Sequence, residues 1–188
     1  MEIAIKLQTD EKALIQACIR EERWAQKELY ETYYSSMMGV CMRYANSSDE
    51  ARDILHEGFL KVFRNIARYQ IGTSLNGWVR QIMVNTAIDI YRKNVYRRTE
   101  QIENASAIEA TDTDIVGRFT TQDIMNAVQQ LTPTYRTVFN LYALEGYSHK
   151  EIAEALNITE STSRSNLMKA RTRLQEMLTS KIAAYDSQ

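Results

Sequence analysis

Arg164, Lys169 and Arg171, interleaved with the hydroxyls of Ser161, Thr162 and Ser165, are the residues whose types and spacing best suit contact with another molecule. That chemistry is the binding of nucleic acid. Hydroxyls and cations hydrogen-bond to phosphates, and the planar fork of an arginine can also read a guanine edge in two places. With Met168, these residues fall on the outward faces of a helix predicted from Glu160, whose inward stripe is Leu167, Leu174 and Leu178 with Ala170 and Met177 near it. Just upstream, Ser148 and Glu151 form a capping box, which predicts a helix start at His149 that buries Ile152, Ala153 and Leu156. Asn157, Ile158 and Thr159 interrupt the period, and Asn tolerates the left-handed conformation a sharp turn requires. The pair reads as a helix-turn-helix with a polar, basic second helix, a shape that fits a DNA major groove. An ordinary pair of surface helices with one charged face would show the same short pattern.

Bond-breaking chemistry has no comparable constellation. There is no glycine-rich phosphate loop and no Cys–His or Ser–His arrangement, and helical phase scatters the carboxylates over different faces, so no catalytic residue and no small-molecule substrate are expected. Cys18 and Cys41 have no close ligand pairing with His56 or His149; buried free thiols are expected, with no metal and no cofactor.

These residues sit in a chain of 188 residues, long enough for one domain or two small ones, and a single Pro with few Gly favours helices throughout. An apolar fraction of 44% is ordinary for a buried core, and 25% charged residues argue for a soluble protein. No segment is long and apolar enough to span a membrane, and the acids near the N-terminus are unlike a signal peptide, so a cytoplasmic location without membrane insertion is expected.

Helical periodicity begins with Ala13, Leu14, Ala17 and Cys18 and resumes through Trp24, Leu29, Tyr33, Met37 and Val40 to Tyr44. Before Asp10, the alternation of Ile3, Ile5 and Leu7 could make a short strand, but with nothing to pair it a frayed tail is expected. Ser47 and Glu50 make a second capping box, ahead of a helix with Ile54, Leu55, Phe59, Val62, Phe63 and Ile66 on its apolar face. A loop at Tyr69 to Ser74 leads to a long helix from Leu75 carrying Trp78, Ile82, Val84, Ala87, Ile88 and Tyr91. Between Thr99 and Arg118 the apolar period disappears. Helical signals return at Thr121 to Leu131, and Thr132–Pro133 restarts a helix that buries Val138, Phe139, Leu141 and Tyr142 and stops near Gly146. The expected fold is all-α: two small helical domains joined by a flexible linker, the second a four-helix domain containing the helix-turn-helix.

The net charge of −1 conceals a segregation along the chain. From Lys61 to Arg98 the cations include Arg64, Arg68, Arg80, Arg92, Lys93 and Arg97 against the lone acid Asp89, whereas Asp49, Glu50, Asp53 and Glu57 cluster at helical spacing just upstream. Such a chain presents different charges to different partners.

Three segments, in this order, resemble the bacterial sigma-70 superfamily, specifically its extracytoplasmic-function (ECF) sigma factors. Asp53-Ile54-Leu55-His56-Glu57-Gly58-Phe59 is similar to the family's acidic helix motif, with His56 where a Gln is usual. The run from Trp78 through Arg80, Ile82 and Asn85 to Asp89, continued by Tyr91-Arg92-Lys93, resembles the next motif. Leu131-Thr132-Pro133, Glu151-Ile152-Ala153 and Ser161-Thr162-Ser163-Arg164-Ser165 resemble the second DNA-binding domain. The resemblance implies a region 2-like domain over 10–98, a linker over 99–118 and a region 4-like domain over 119–182.

It further implies a non-enzymatic factor that binds core RNA polymerase, directs it to promoter DNA and assists melting, and that is usually held by an anti-sigma factor. Asp53, His56 and Glu57 would contact the polymerase, with a solvated acidic face at a helix start as the alternative for Asp49 and Glu50. Arg80, Arg92 and Lys93 would follow minus-10 phosphates, Asn85 would hydrogen-bond an extruded base, and Tyr69 is divided between stacking a base and packing in the core. Trp78 is assigned to the core. Ser161, Thr162, Arg164, Ser165, Met168, Lys169 and Arg171 would meet the minus-35 element. The acidic linker would thread the polymerase RNA channel. Two other readings share some of these features: a one-component transcription regulator, and a helical module that binds only proteins.

Overall fold

The computed structural model describes the backbone of residues 2–99 and 120–185, and the side chains of 11–95, 120 and 123–180. Every element among them is helical. The order is α1 (Glu2–Ile19), α2 (Arg23–Tyr44), α3 (Ser48–Asn65), a 3₁₀ turn (Ile66–Arg68), α4 (Leu75–Thr99), α5 (Thr121–Gln130), α6 (Pro133–Phe139), a π-helical turn (Asn140–Leu144), α7 (His149–Leu156) and α8 (Glu160–Tyr185). The chain divides into two compact units, Met1–Asp89 and Ile90–Gln188, with the division inside α4. The predicted linker over 99–118 lies, apart from Thr99, outside the described residues.

In the first unit, α1 packs on α2 and α2 on α3 around Ile15, Leu29, Met37, Ile54, Leu55 and Val62, all nearly inaccessible to solvent. The expectation of a strand or frayed tail before Asp10 is corrected, since α1 begins at Glu2. No breaker stands between Glu2 and Leu7, and a lone strand has no partner for its amides, whereas a helix satisfies them within itself. Trp24, in α2, is 55% exposed, and its indole N–H donates to Glu22 Oε2 at 2.6 Å. Glu22, at the N-cap position of α2, also accepts from Arg20 Nε, and these two hydrogen bonds, Arg20's first, hold its carboxyl below the usual range.

Ser47 caps α3 by accepting from the Glu50 amide at 3.1 Å, but Glu50 reaches back one residue further than a capping box requires, to the Asn46 amide and side chain. Cys18 and Cys41 are buried free thiols, and burial pushes them up to about 11 and about 12. Neither presents a thiolate near neutral pH.

In the second unit, Ala127, Val128 and Leu131 from the α5 end pack against Ala170 and Leu174 of α8, with Tyr135, Phe139, Met177 and Leu178 around them. Capping sets each start: Thr120 and Asp123 form a box ahead of α5, Thr132 accepts from the Tyr135 amide with Pro133 following, and Ser148 and Glu151 form the box ahead of α7. Arg136 is buried at 3% exposure and donates from Nη1 to the Gln129 carbonyl at 3.0 Å, placing a cation at the negative end of α5.

Tyr142, predicted inside, is 36% exposed. Tyr142 lies in the π-helical turn, beside the buried Leu141.

Candidate nucleic-acid interface

The acidic face is built by the phase of α3. Ile54, Leu55, Phe59 and Val62 turn inward, which leaves Asp53, His56 and Glu57 exposed, with Asp53 and Glu57 one turn apart on the same side. Asp49 is engaged locally by Arg52 at 3.1 Å. Between Glu57 and Phe59, Gly58 faces Met83 of α4 so closely that a Cβ would collide with its sulfur. A larger residue in this motif would force the Met83 side chain to shift beneath the acidic face.

Across from α3, Lys61 Nζ donates to Asp89 Oδ2 at 2.9 Å, which ties α3 to α4 and neutralises the one acid of the basic segment. On α4, Asn85 is exposed and its side-chain oxygen accepts from Gln81 Nε2 at 3.1 Å; Arg92 and Lys93 are exposed, and Arg80 is half-buried. Trp78 is also half-buried, packed at 5.5 Å and 55° against Tyr69.

Tyr69 does not offer a free ring. It is 6% exposed, and its hydroxyl lies 2.6 Å from the Thr73 carbonyl and 3.0 Å from Glu11 Oε1, so it closes the 69–74 loop and ties it to α1. Its assignment as a platform for an unstacked base is corrected in favour of a loop anchor. The loop turns at Gly72, whose φ of +95° suits glycine, and Ser74 then caps α4 by accepting from the Gly77 amide.

The helix-turn-helix has the predicted form. Asn157 adopts φ 55° and ψ 49°, ending α7 in the left-handed conformation, and the Ile158 amide closes on the Ala153 carbonyl. Thr159 caps α8 by accepting from the Thr162 amide at 3.0 Å, and its hydroxyl lies 2.8 Å from that of Thr162. Leu167, Ala170 and Leu174 are buried, whereas Ser161, Thr162, Arg164, Met168 and Arg171 are exposed and Ser165 and Lys169 are half-buried. Arg164 Nη2 donates to Glu160 Oε2 at 2.8 Å within the same exposed face.

A polar contact that the sequence reading did not identify joins the two helices. Ser163 is fully buried and meets His149 Nδ1 at 3.0 Å, while the His149 ring stacks on Tyr142 at 4.8 Å and 24°. The guanidinium carbon of Arg171 stands 5.7 Å from the centre of the same Tyr142 ring. Ser163 was legible as an inward position, since it precedes Leu167, Ala170 and Leu174 at helical spacing. The place of Tyr142 was not, because its ring packs against residues of two later helices.

Comparison with known proteins agrees with this architecture. The model for "Sigma-70 region 2" matches residues 29–96, and that for "Sigma-70, region 4" matches residues 121–174. Together these take in more than half of the chain, which belongs to the sigma-70 family of transcription-initiation factors.

The ECF RNA polymerase sigma factor SigE of Mycolicibacterium smegmatis is 28% identical over 156 residues, covering 80% of this chain and 60% of the relative. The RNA polymerase sigma factor CarQ of Myxococcus xanthus is 27% identical, covering 81% of this chain and 88% of the relative. Among solved structures, the sigma factor RpoE from Bartonella quintana, in complex with the anti-sigma factor NepR, is 21% identical with a TM-score of 0.48, covering 81% of this chain and 96% of that chain.

Proposed function

We propose that this chain is an ECF-type sigma factor of the cytoplasm whose two units divide promoter recognition between them. The observation that carries the reading is the order of the two family regions along one chain, each with the exposed charge its role requires. The exposed Asp53, His56 and Glu57 of the first unit dock on core RNA polymerase, while Arg80, Asn85, Arg92 and Lys93, along the α4 helix that runs across the division, hold the minus-10 element. The 69–74 loop, anchored by Tyr69, presents its polar groups to the same strand. In the second unit the exposed face of α8 enters the major groove at the minus-35 element. Catalysis belongs to the polymerase, and an anti-sigma factor, the family's usual regulator, would hold the free chain.

Physical support comes from magnitudes. Each phosphate neutralised by a Lys or Arg releases counterions, so a few exposed cations suffice for strongly salt-dependent binding despite the net charge of −1. No helix among the described residues is long and apolar enough to cross a membrane, which accords with a partner in the cytoplasm.

The test is reconstitution of the full chain with core RNA polymerase, followed by transcription from a library of promoter fragments. Coelution with the polymerase and initiation confined to a subset of fragments are expected. DNA binding without polymerase association would favour a one-component regulator, and association with proteins but no salt-dependent DNA affinity would favour an interaction module; either result overturns the proposal.

A further inference from the structure

Tyr142, His149 and Ser163 form a cluster against α8 that reaches Arg171 on its exposed face. Tyr142, in the π-helical turn, is exposed and its ring is occupied: the His149 imidazole stacks on it, and the Arg171 guanidinium carbon lies 5.7 Å from its centre. His149 is itself held, because its Nδ1 meets the hydroxyl of fully buried Ser163 on α8. An arginine side chain otherwise samples many rotamers, and a ring that retains its stem and charge removes part of that freedom before a ligand arrives. Such an arrangement lowers the ordering cost of a contact made by Arg171.

We propose that Tyr142 is a positioning residue for Arg171, holding the guanidinium in place for a DNA phosphate, and that the contact of His149 with Ser163 fixes the Tyr142 ring in register with α8. The proposal rests on the reading of α8 as the DNA-binding helix. It assigns to the first turn of α7 and to the π-helical turn a function in affinity rather than in base choice, since a phosphate contact carries no sequence information.

A double-mutant cycle tests it, with the full chain titrated against a duplex selected from a randomised library and against a scrambled duplex, at several salt concentrations. Tyr142→Leu is expected to weaken binding to both duplexes about two- to fivefold, within the ordering cost of one immobilised side chain. Arg171→Ala should weaken both duplexes and reduce the salt slope by about one. The Tyr142→Leu/Arg171→Ala double variant should bind no more weakly than Arg171→Ala alone, and Tyr142→Phe, which keeps the ring, should bind like the wild type. Losses that multiply in the double variant, or a Tyr142→Phe variant as weak as Tyr142→Leu, would overturn the positioning role.

Thermal melting separates folding from binding. Should Tyr142→Leu melt early, His149→Ala decides instead: a loss that disappears in the Arg171→Ala background supports the proposal, and one that persists overturns it. A wild-type chain with no salt-dependent affinity for the selected duplex would overturn the reading of α8, and the proposal with it.

Discussion

Arg164 pairs with Glu160 one turn away, but its side chain is 62% exposed, and such an exposed pair is worth about 0–1 kcal/mol. A bidentate contact to a guanine is worth about 1–3 kcal/mol, so the proposed cognate base would displace Glu160. Arg164→Ala should therefore lose about 1–3 kcal/mol on the selected duplex and relax preference at one position. Lys169→Ala should weaken cognate and scrambled duplexes alike and lower the salt slope. Titration of both variants against both duplexes checks the division; equal losses for Arg164→Ala would return base reading to Ser161, Thr162 or Ser165.

His149 adds a dependence on pH. Its pKa is lowered from the ordinary 6.5, first by desolvation, then by the cations of Arg164 and Arg171, with Glu160 acting in the opposite direction. The unfolded chain thus takes up a proton at higher pH than the folded one. The stability contributed by this site is complete above pH 6.5 and is lost as pH falls through the lowered folded value. Thermal melting of the full chain between pH 7.5 and about 5 should show this slope, and His149→Gln should flatten it. An unchanged slope would place the titration elsewhere.

At the scale of elements, two helical glycines have opposite roles. A Cβ on Gly39 would meet nothing within 4 Å, whereas one on Gly58 would run into the buried Met83 side chain. Gly39→Ala should stabilise the first unit by about 0.5–1 kcal/mol, because alanine is the better helix former. Gly58→Ala makes the same gain of about 1 kcal/mol but forces an overpacked contact costing about 1–3 kcal/mol. It should lower the melting temperature and displace the α3 surface that bears Asp53 and Glu57. Equal shifts for the two variants would show that Met83 moves aside without cost.

For the molecule as a whole, the division into two compact units makes the proposed contacts separable. Asp53→Arg with Glu57→Arg reverses charge at two exposed positions with no core role, so the fold should survive. Core polymerase binding should be abolished at physiological salt while affinity for the selected duplex stays within about twofold of the wild type, since α8 lies in the other unit. Gel filtration with core polymerase and a duplex titration on the same preparation measure both quantities. Normal assembly of the double variant would remove α3 from the polymerase interface.

What the sequence determined by itself was local: helix starts at His149 and Pro133, the left-handed turn at Asn157, the burial of Leu167, Ala170 and Leu174, and the exposure of Asp53 and Glu57. Each follows from hydrogen bonds or apolar spacing within a few residues, which the order of amino acids specifies directly. Only the tertiary structure decided the rest. Tyr69 was equally compatible with a base platform and a core position until Glu11, far along the chain, and the Thr73 carbonyl engaged its hydroxyl. Tyr142 reads as buried but is exposed, and its ring meets His149 of α7 and Arg171 of α8, neither of which its own helical period specifies. The close approach of Gly58 to Met83 and the contact between His149 and Ser163 likewise depend on how helices pack, a property of side chains distant in sequence and adjacent in space.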